Sequence, residues 1–234
     1  LGQKRYKLHV IAARGRGVLA QASPLRTPLG YAGAFFSNAV SRPALGHWLE
    51  RVVFSTADHQ SLHRLPFATS DLRTSHTGLT EQNFMDAVRA SCSIPFALDA
   101  VQGIAGAPPG AYWDGRITDY HMHLDYLASQ TGEGLVLYPH FQKAVVPGWL
   151  DKSLKWRHRP SPYLDSMVVL APDPAWVALL PQQKLPDRHD FLHYGSDHEG
   201  RAKAWNTAVR ASQQLAEEFA QWLEKPDPSL IERL

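Results

Sequence analysis

A chain of 234 residues with 44% hydrophobic and 20% charged residues suits one or at most two domains with a sizeable core, which excludes a disordered or fibrous protein. The net charge of +2 is too small to imply a polyanionic partner and gives no ground for nucleic-acid binding. A single cysteine, Cys92, excludes a disulfide framework and a Cys-based metal site and fits a reducing, cytoplasmic setting, while no apolar run reaches the length of a membrane span.

Leu1 to Lys7 carries no initiating Met and no signal-peptide pattern, so the chain reads as the continuation of something longer. The apolar run within Tyr6 to Ala13 predicts a strand, closed by Arg14-Gly15-Arg16-Gly17, a plain turn rather than a phosphate cradle. Residues 21 to 33 are rich in Pro and Gly and are expected to be loop; Ala34 to Leu49 is helical in patches around Pro43. Arg51 to Thr56 and, more weakly, Leu65 to Thr69 read as strands. Thr80 to Cys92 predicts a helix capped by Thr80, stapled by Leu79 and Phe84, and stopped by Pro95, with Cys92 in the core. Phe96 to Val101 is expected to be a short strand, followed by a Gly/Pro loop over residues 103 to 110.

The loop delivers the chain to Tyr112-Trp113-Asp114-Gly115-Arg116, where a carboxylate sits at the mouth of an aromatic strand on an Asp-Gly bend. Gly134 to Tyr138 and Ser166 to Ala171 are unalternating apolar strands of the kind found in the middle of a parallel sheet. Pro174 to Leu180 reads as a short helix. A long helix begins at a Ser196/Glu199 capping box, with Ala202, Trp205, Val209, Ser212, Leu215, Ala216, Phe219 and Trp222 on its apolar face.

Two blocks, Ala90-Ser91-Cys92-Ser93-Ile94-Pro95 and Asp114-Gly115, stand in an order and spacing that resembles the patatin-like phospholipase family, over roughly Leu8 to Leu124. The resemblance implies an α/β fold with a mainly parallel central sheet and helices on both faces, residues 1–234 being the C-terminal portion of a single such domain. It implies acyl-ester hydrolysis by a Ser–Asp dyad with Asp114 as the base, Gly115 supporting the motif, a lipid or acyl-ester substrate and no cofactor. In the family a Gly-x-Ser-x-Gly elbow bears the nucleophile. That string is absent from this sequence, so the serine is expected on an upstream segment of the same polypeptide, and the 234 residues alone are expected to be inactive. Arg116 stands where the family has Gly or Ala; a cation beside Asp114 would lower its basicity unless it points to solvent.

Three other readings stand beside this one. His121 and His123, with Asp119 or Asp125, are candidate ligands for a metal-dependent hydrolase if the segment is a strand, although residues Ile117 to Leu124 also suit a helix. Asp114 alone would suit an Asx-turn. Trp149 to Arg159 interleaves tryptophans with cations, as at a peripheral membrane contact of a lipid-binding module; the competing expectation is a solvated face with its tryptophans packed inward.

Overall fold

The computed structural model describes residues 7–56, 65–126 and 134–234. The chain forms two compact units: Leu1–Val136 with Ala144–Met167, and Leu137–Lys143 with Val168–Leu234.

The first unit is built on a four-stranded sheet in the order β3-β2-β1-β4. Its strands are β1 (His9–Gly15), β2 (Leu49–Ser55), β3 (Thr74–Gly78) and β4 (Tyr112–Asp114). β1 runs antiparallel to both β2 and β4, and only β2 and β3 are parallel, so the sheet is mixed and the expected mainly parallel sheet is not found. The α/β character holds, with one helix on each face. Side chains alternate along the pleat. Ala13, Leu49 and Trp113 therefore face Tyr31 and Ala34 of α1 (Arg26–Val40), whereas Ala12, Val52, Phe54 and Tyr112 face Ala87 and Ala90 of α2 (Phe84–Ser91). A third cluster, Ile11, Val53, Leu65, Phe67 and Leu124, continues the α1 face of the sheet.

Several elements differ from expectation for identifiable reasons. The stretch expected to be loop is most of α1. Ser23 Oγ accepts the Arg26 N–H at 3.0 Å while the Ser23 N–H donates to Thr27 Oγ1 at 3.1 Å, a reciprocal cap. Pro28 then falls in the first turn, where its missing donor costs nothing. Gly30 and Gly33 lie inside the helix because a Cβ there would come within 2.5 Å of Leu19 and 2.4 Å of the Trp48 ring. α2 starts at Phe84 rather than Thr80: the buried Asn83 takes the Thr80 N–H on Oδ1 at 2.8 Å and donates to Gly78 O and Ala105 O. Cys92 is exposed at the end of α2, not in the core. Leu65–Thr69 and Phe96–Val101 are not strands, Val101 making only an isolated bridge to Tyr112; β3 was unforeseen because Thr, Ser and His dilute its apolar signal. Tyr6, at the start of the first predicted strand, lies outside the described residues.

β5 (Val136–Pro139) pairs with β6 (Met167–Leu170) as a two-stranded sheet, and all but the first residue of each strand belongs to the second unit. Hydrogen bonds from Val136 N to Ser166 O and from His140 N to Leu170 O advance in step, so the pair is parallel, yet both strands are half exposed rather than central to a larger sheet. Three helices follow: α3 (Pro174–Val177), α4 (Asp190–Tyr194) and α5 (His198–Glu224). α5 is capped by Asp197, whose Oδ1 accepts the Gly200 N–H at 2.8 Å, not by Ser196. Its half-buried line runs through Ala204, Trp205, Ala208, Leu215 and Phe219, leaving Ala202, Val209, Ser212 and Ala216 exposed. Asp190 is bonded to Lys184 and to Trp205 Nε1, and the Lys184 hydrogen bond holds its carboxyl down at about 2.

Candidate active site

β4 pairs Asp114 with Ala12 of β1, and the Asp114 N–H donates to Ser93 O at 2.9 Å. That one main-chain bond joins the two sequence blocks singled out above. Ser93 is itself fixed at the end of α2, buried, its Oγ donating to Arg89 O at 2.9 Å. The carboxylate therefore emerges where a strand end meets a helix end.

The side chain makes an Asx-turn: Oδ1 accepts the Arg116 N–H at 2.8 Å, and this opens a short 3-10 turn over Gly115–Ile117. Gly115 then passes so close to β1 that a Cβ would lie 2.2 Å from Ile11 O. Its φ is not in the left-handed region, so glycine is required by that close approach rather than by the bend itself. Arg116 does not turn back onto Asp114. Its side chain is exposed, and its guanidinium sits 5.6 Å from the centre of the Tyr120 ring.

Asp114 is 9% exposed and has no ion-pair partner among the described residues. The neighbouring Trp113 side chain points to the α1 face, among rings. Tyr31 packs edge-on against Trp113 at 6.1 Å and against Phe96 at 5.4 Å. Phe96 adopts φ 68°, a left-handed conformation rare for a bulky residue, and remains mostly exposed. The Tyr31 hydroxyl and Trp113 Nε1 are buried without a hydrogen-bond partner among the described residues. Burial, and then the charge of Asp114, push the Tyr31 hydroxyl well above the ordinary tyrosine value, so it stays a proton donor. A buried, unsatisfied donor costs about 1–3 kcal/mol. Both donors lie on the α1 face of the sheet, where neither has a partner among the described residues.

The histidine pair is not brought to a common ligand set. His121 Nδ1 accepts the Val146 N–H at 2.9 Å, and His123 Nε2 lies 3.0 Å from Ser161 Oγ, with Met122 between them at φ 50°. The segment is neither the strand nor the helix considered from sequence. Asp119 is consumed elsewhere, and among the described residues no three His, Cys, Asp or Glu side chains are grouped to hold a metal.

What sequence reading missed is a buried ion network. Arg51, 0% exposed in its side chain, gives Nε to Asp119 Oδ2 at 2.7 Å and Nη1 and Nη2 to Asp71 at 2.8 and 3.0 Å. Arg42 bonds Thr118 O at 2.6 Å and reaches Asp151, which is also bonded to Asn38 and paired with Arg157. Although burial opposes ionisation, Arg51 and Arg42 together hold the Asp71 carboxyl below the usual range. Asp119 N–H in turn donates to Gly115 O at 2.9 Å, so the network anchors the turn that carries Asp114. Burial and the nearby Arg42 charge keep the His123 imidazole below its ordinary value, hence neutral. Ser161 Oγ accepts the Tyr163 N–H at 3.3 Å, a turn cap that its Ser-Pro sequence signals. The network has no such signal: its members come from positions 38 to 157, and no local pattern connects them.

No protein-family model, curated protein or solved structure matches the chain.

Proposed function

We propose that Asp114 is the general base of a Ser–Asp acyl hydrolase acting on lipid or other acyl esters, with the serine supplied by an upstream segment of the same polypeptide. A serine hydroxyl is a weak nucleophile until an adjacent base takes its proton. The reading is supported by a single observation above the others: the bond from Asp114 N–H to Ser93 O, which unites the two motif blocks around a carboxylate with no ion-pair partner among the described residues. Asp114 in that environment keeps lone pairs available to an incoming hydroxyl, and its charge is felt at the Tyr31 hydroxyl, which stays protonated. Gly115 lets the bend lie flat on β1, which fixes the direction of the carboxylate. Arg116 contributes its main-chain N–H to that bend and directs its charge to Tyr120.

The test is hydrolysis of p-nitrophenyl esters by the full-length polypeptide. Asp114→Ala is expected to lower turnover by roughly 10²–10⁴, the usual contribution of a positioned base, and a chelator is expected to leave the wild-type rate unchanged. Unchanged turnover in the variant contradicts the assignment. So does labelling of Ser161 by a fluorophosphonate, which would put the nucleophile opposite His123 instead.

A further inference from the structure

Arg116 and Lys152, far apart in sequence, bring their charges to 5.6 and 5.4 Å from the centre of the same Tyr120 ring. Neither is ion-paired among the described residues. The segment that carries Lys152 adds Lys155 and Arg159, both exposed. Its only carboxylate, Asp151, is fully buried and taken by Asn38, Arg42 and Arg157. The outer surface of residues 149–159 is therefore cationic with no exposed acid.

The same segment holds itself down without its tryptophans. Leu150 and Leu154 are the inward anchors, 7% and 5% exposed. Trp156 is 57% exposed and Trp149 38% exposed, which overturns the expectation that these rings pack inward. A large indole left in solvent beside unpaired cations loses apolar burial for no gain within the fold. At a bilayer surface both features are favourable: the ring settles at the boundary between headgroups and acyl chains, while long cationic stems reach the phosphates.

We propose that Arg116, Lys152, Lys155, Arg159, Trp149 and Trp156 form a docking surface for an anionic phospholipid bilayer. The charge complement decides for this partner. Four exposed cations on a protein of net charge +2 match the weak negative potential of an anionic leaflet, and the exposed indoles supply the apolar contact that a phosphate alone would not use. The inference stands without the hydrolase assignment, since none of its residues except Arg116 adjoins Asp114.

Co-sedimentation of the full-length protein with vesicles tests it. Vesicles of phosphatidylcholine mixed with phosphatidylglycerol are expected to bind the protein, phosphatidylcholine vesicles to bind it poorly, and high salt to release it, because the charges act within a screening length of about 10 Å at 0.1 M. Lys152→Gln and Lys155→Gln are each expected to weaken binding roughly fivefold. Trp156→Ala is expected to weaken it as well and to remove the blue shift of tryptophan emission on binding, with thermal unfolding unchanged in all three variants. The proposal is overturned if anionic and neutral vesicles bind equally, if neither binds, if the variants bind like wild type, if soluble glycerol phosphate displaces the vesicles stoichiometrically, or if a single-stranded oligonucleotide binds more tightly than the anionic vesicles.

Discussion

Asp114 and Asp119 sit on one turn of the chain and are both largely buried, 9% and 3% exposed, yet their environments are opposite. Asp119 accepts two guanidinium N–H groups from Arg51, with Arg42 close behind; Asp114 accepts one main-chain N–H and has no ion-pair partner among the described residues. A carboxylate whose lone pairs are saturated by fixed cations is a structural element, since taking up a proton would strand the arginines. One held by a single neutral donor can be positioned and still exchange a proton. The difference teaches that exposure alone does not separate a candidate base from a structural acid. The partner set does.

The comparison can be broken from the structural side first, where the effects are largest. Arg51→Ala leaves Asp71 and Asp119 buried without their main cation and is expected to destabilise the fold by about 3–5 kcal/mol, read by urea denaturation; a loss under about 1 kcal/mol would show that the network is not the anchor claimed. Gly115→Ala comes next. Its Cβ must push back the Ile11 carbonyl, so a loss of roughly 1–3 kcal/mol is expected, visible as a lowered unfolding midpoint.

A smaller effect depends on pH. His123 is held below its ordinary value by burial and by Arg42, so the unfolded chain takes up a proton that the folded chain refuses. Stability is expected to be fully present above about pH 6.5 and to fall as the pH drops below it. His123→Gln should flatten that slope in part, leaving the contribution of His9, which burial also holds down. Asp71 acts in the same direction in more acid solution: its lowered value means that stability is lost as the pH falls through the carboxylate range, below about 4. A slope unaltered by His123→Gln would contradict the burial of a neutral His123 in the fold.

The legible and illegible parts of the molecule divide along the same line. β4, α2 and the Asp-Gly bend were readable because strand ends, Pro stops and turn residues are local signals, and the bond between Ser93 and Asp114 joins blocks that sequence spacing had paired. Sheet direction was not readable: β5 and β6 have the apolar runs of central strands but end half exposed in a pair of their own, and β1 pairs antiparallel with both neighbours. α1 was hidden by Pro28 and two glycines, whose reasons lie in a first turn and in the neighbouring Leu19 and Trp48. Arg51 was hidden because an arginine inside an apolar strand looks like a solvent-facing position until Asp71 and Asp119 arrive from elsewhere.

The most direct measurement is to place Asn at each of the two positions in the full-length protein and to record ester turnover and unfolding free energy together. Asp114→Asn keeps the acceptor for the Arg116 N–H, so it is expected to cost less than about 1 kcal/mol of stability while lowering turnover at least about 10²-fold. Asp119→Asn is expected to lose stability the more of the two. Full turnover in Asp114→Asn, with the protein folded, would contradict the account.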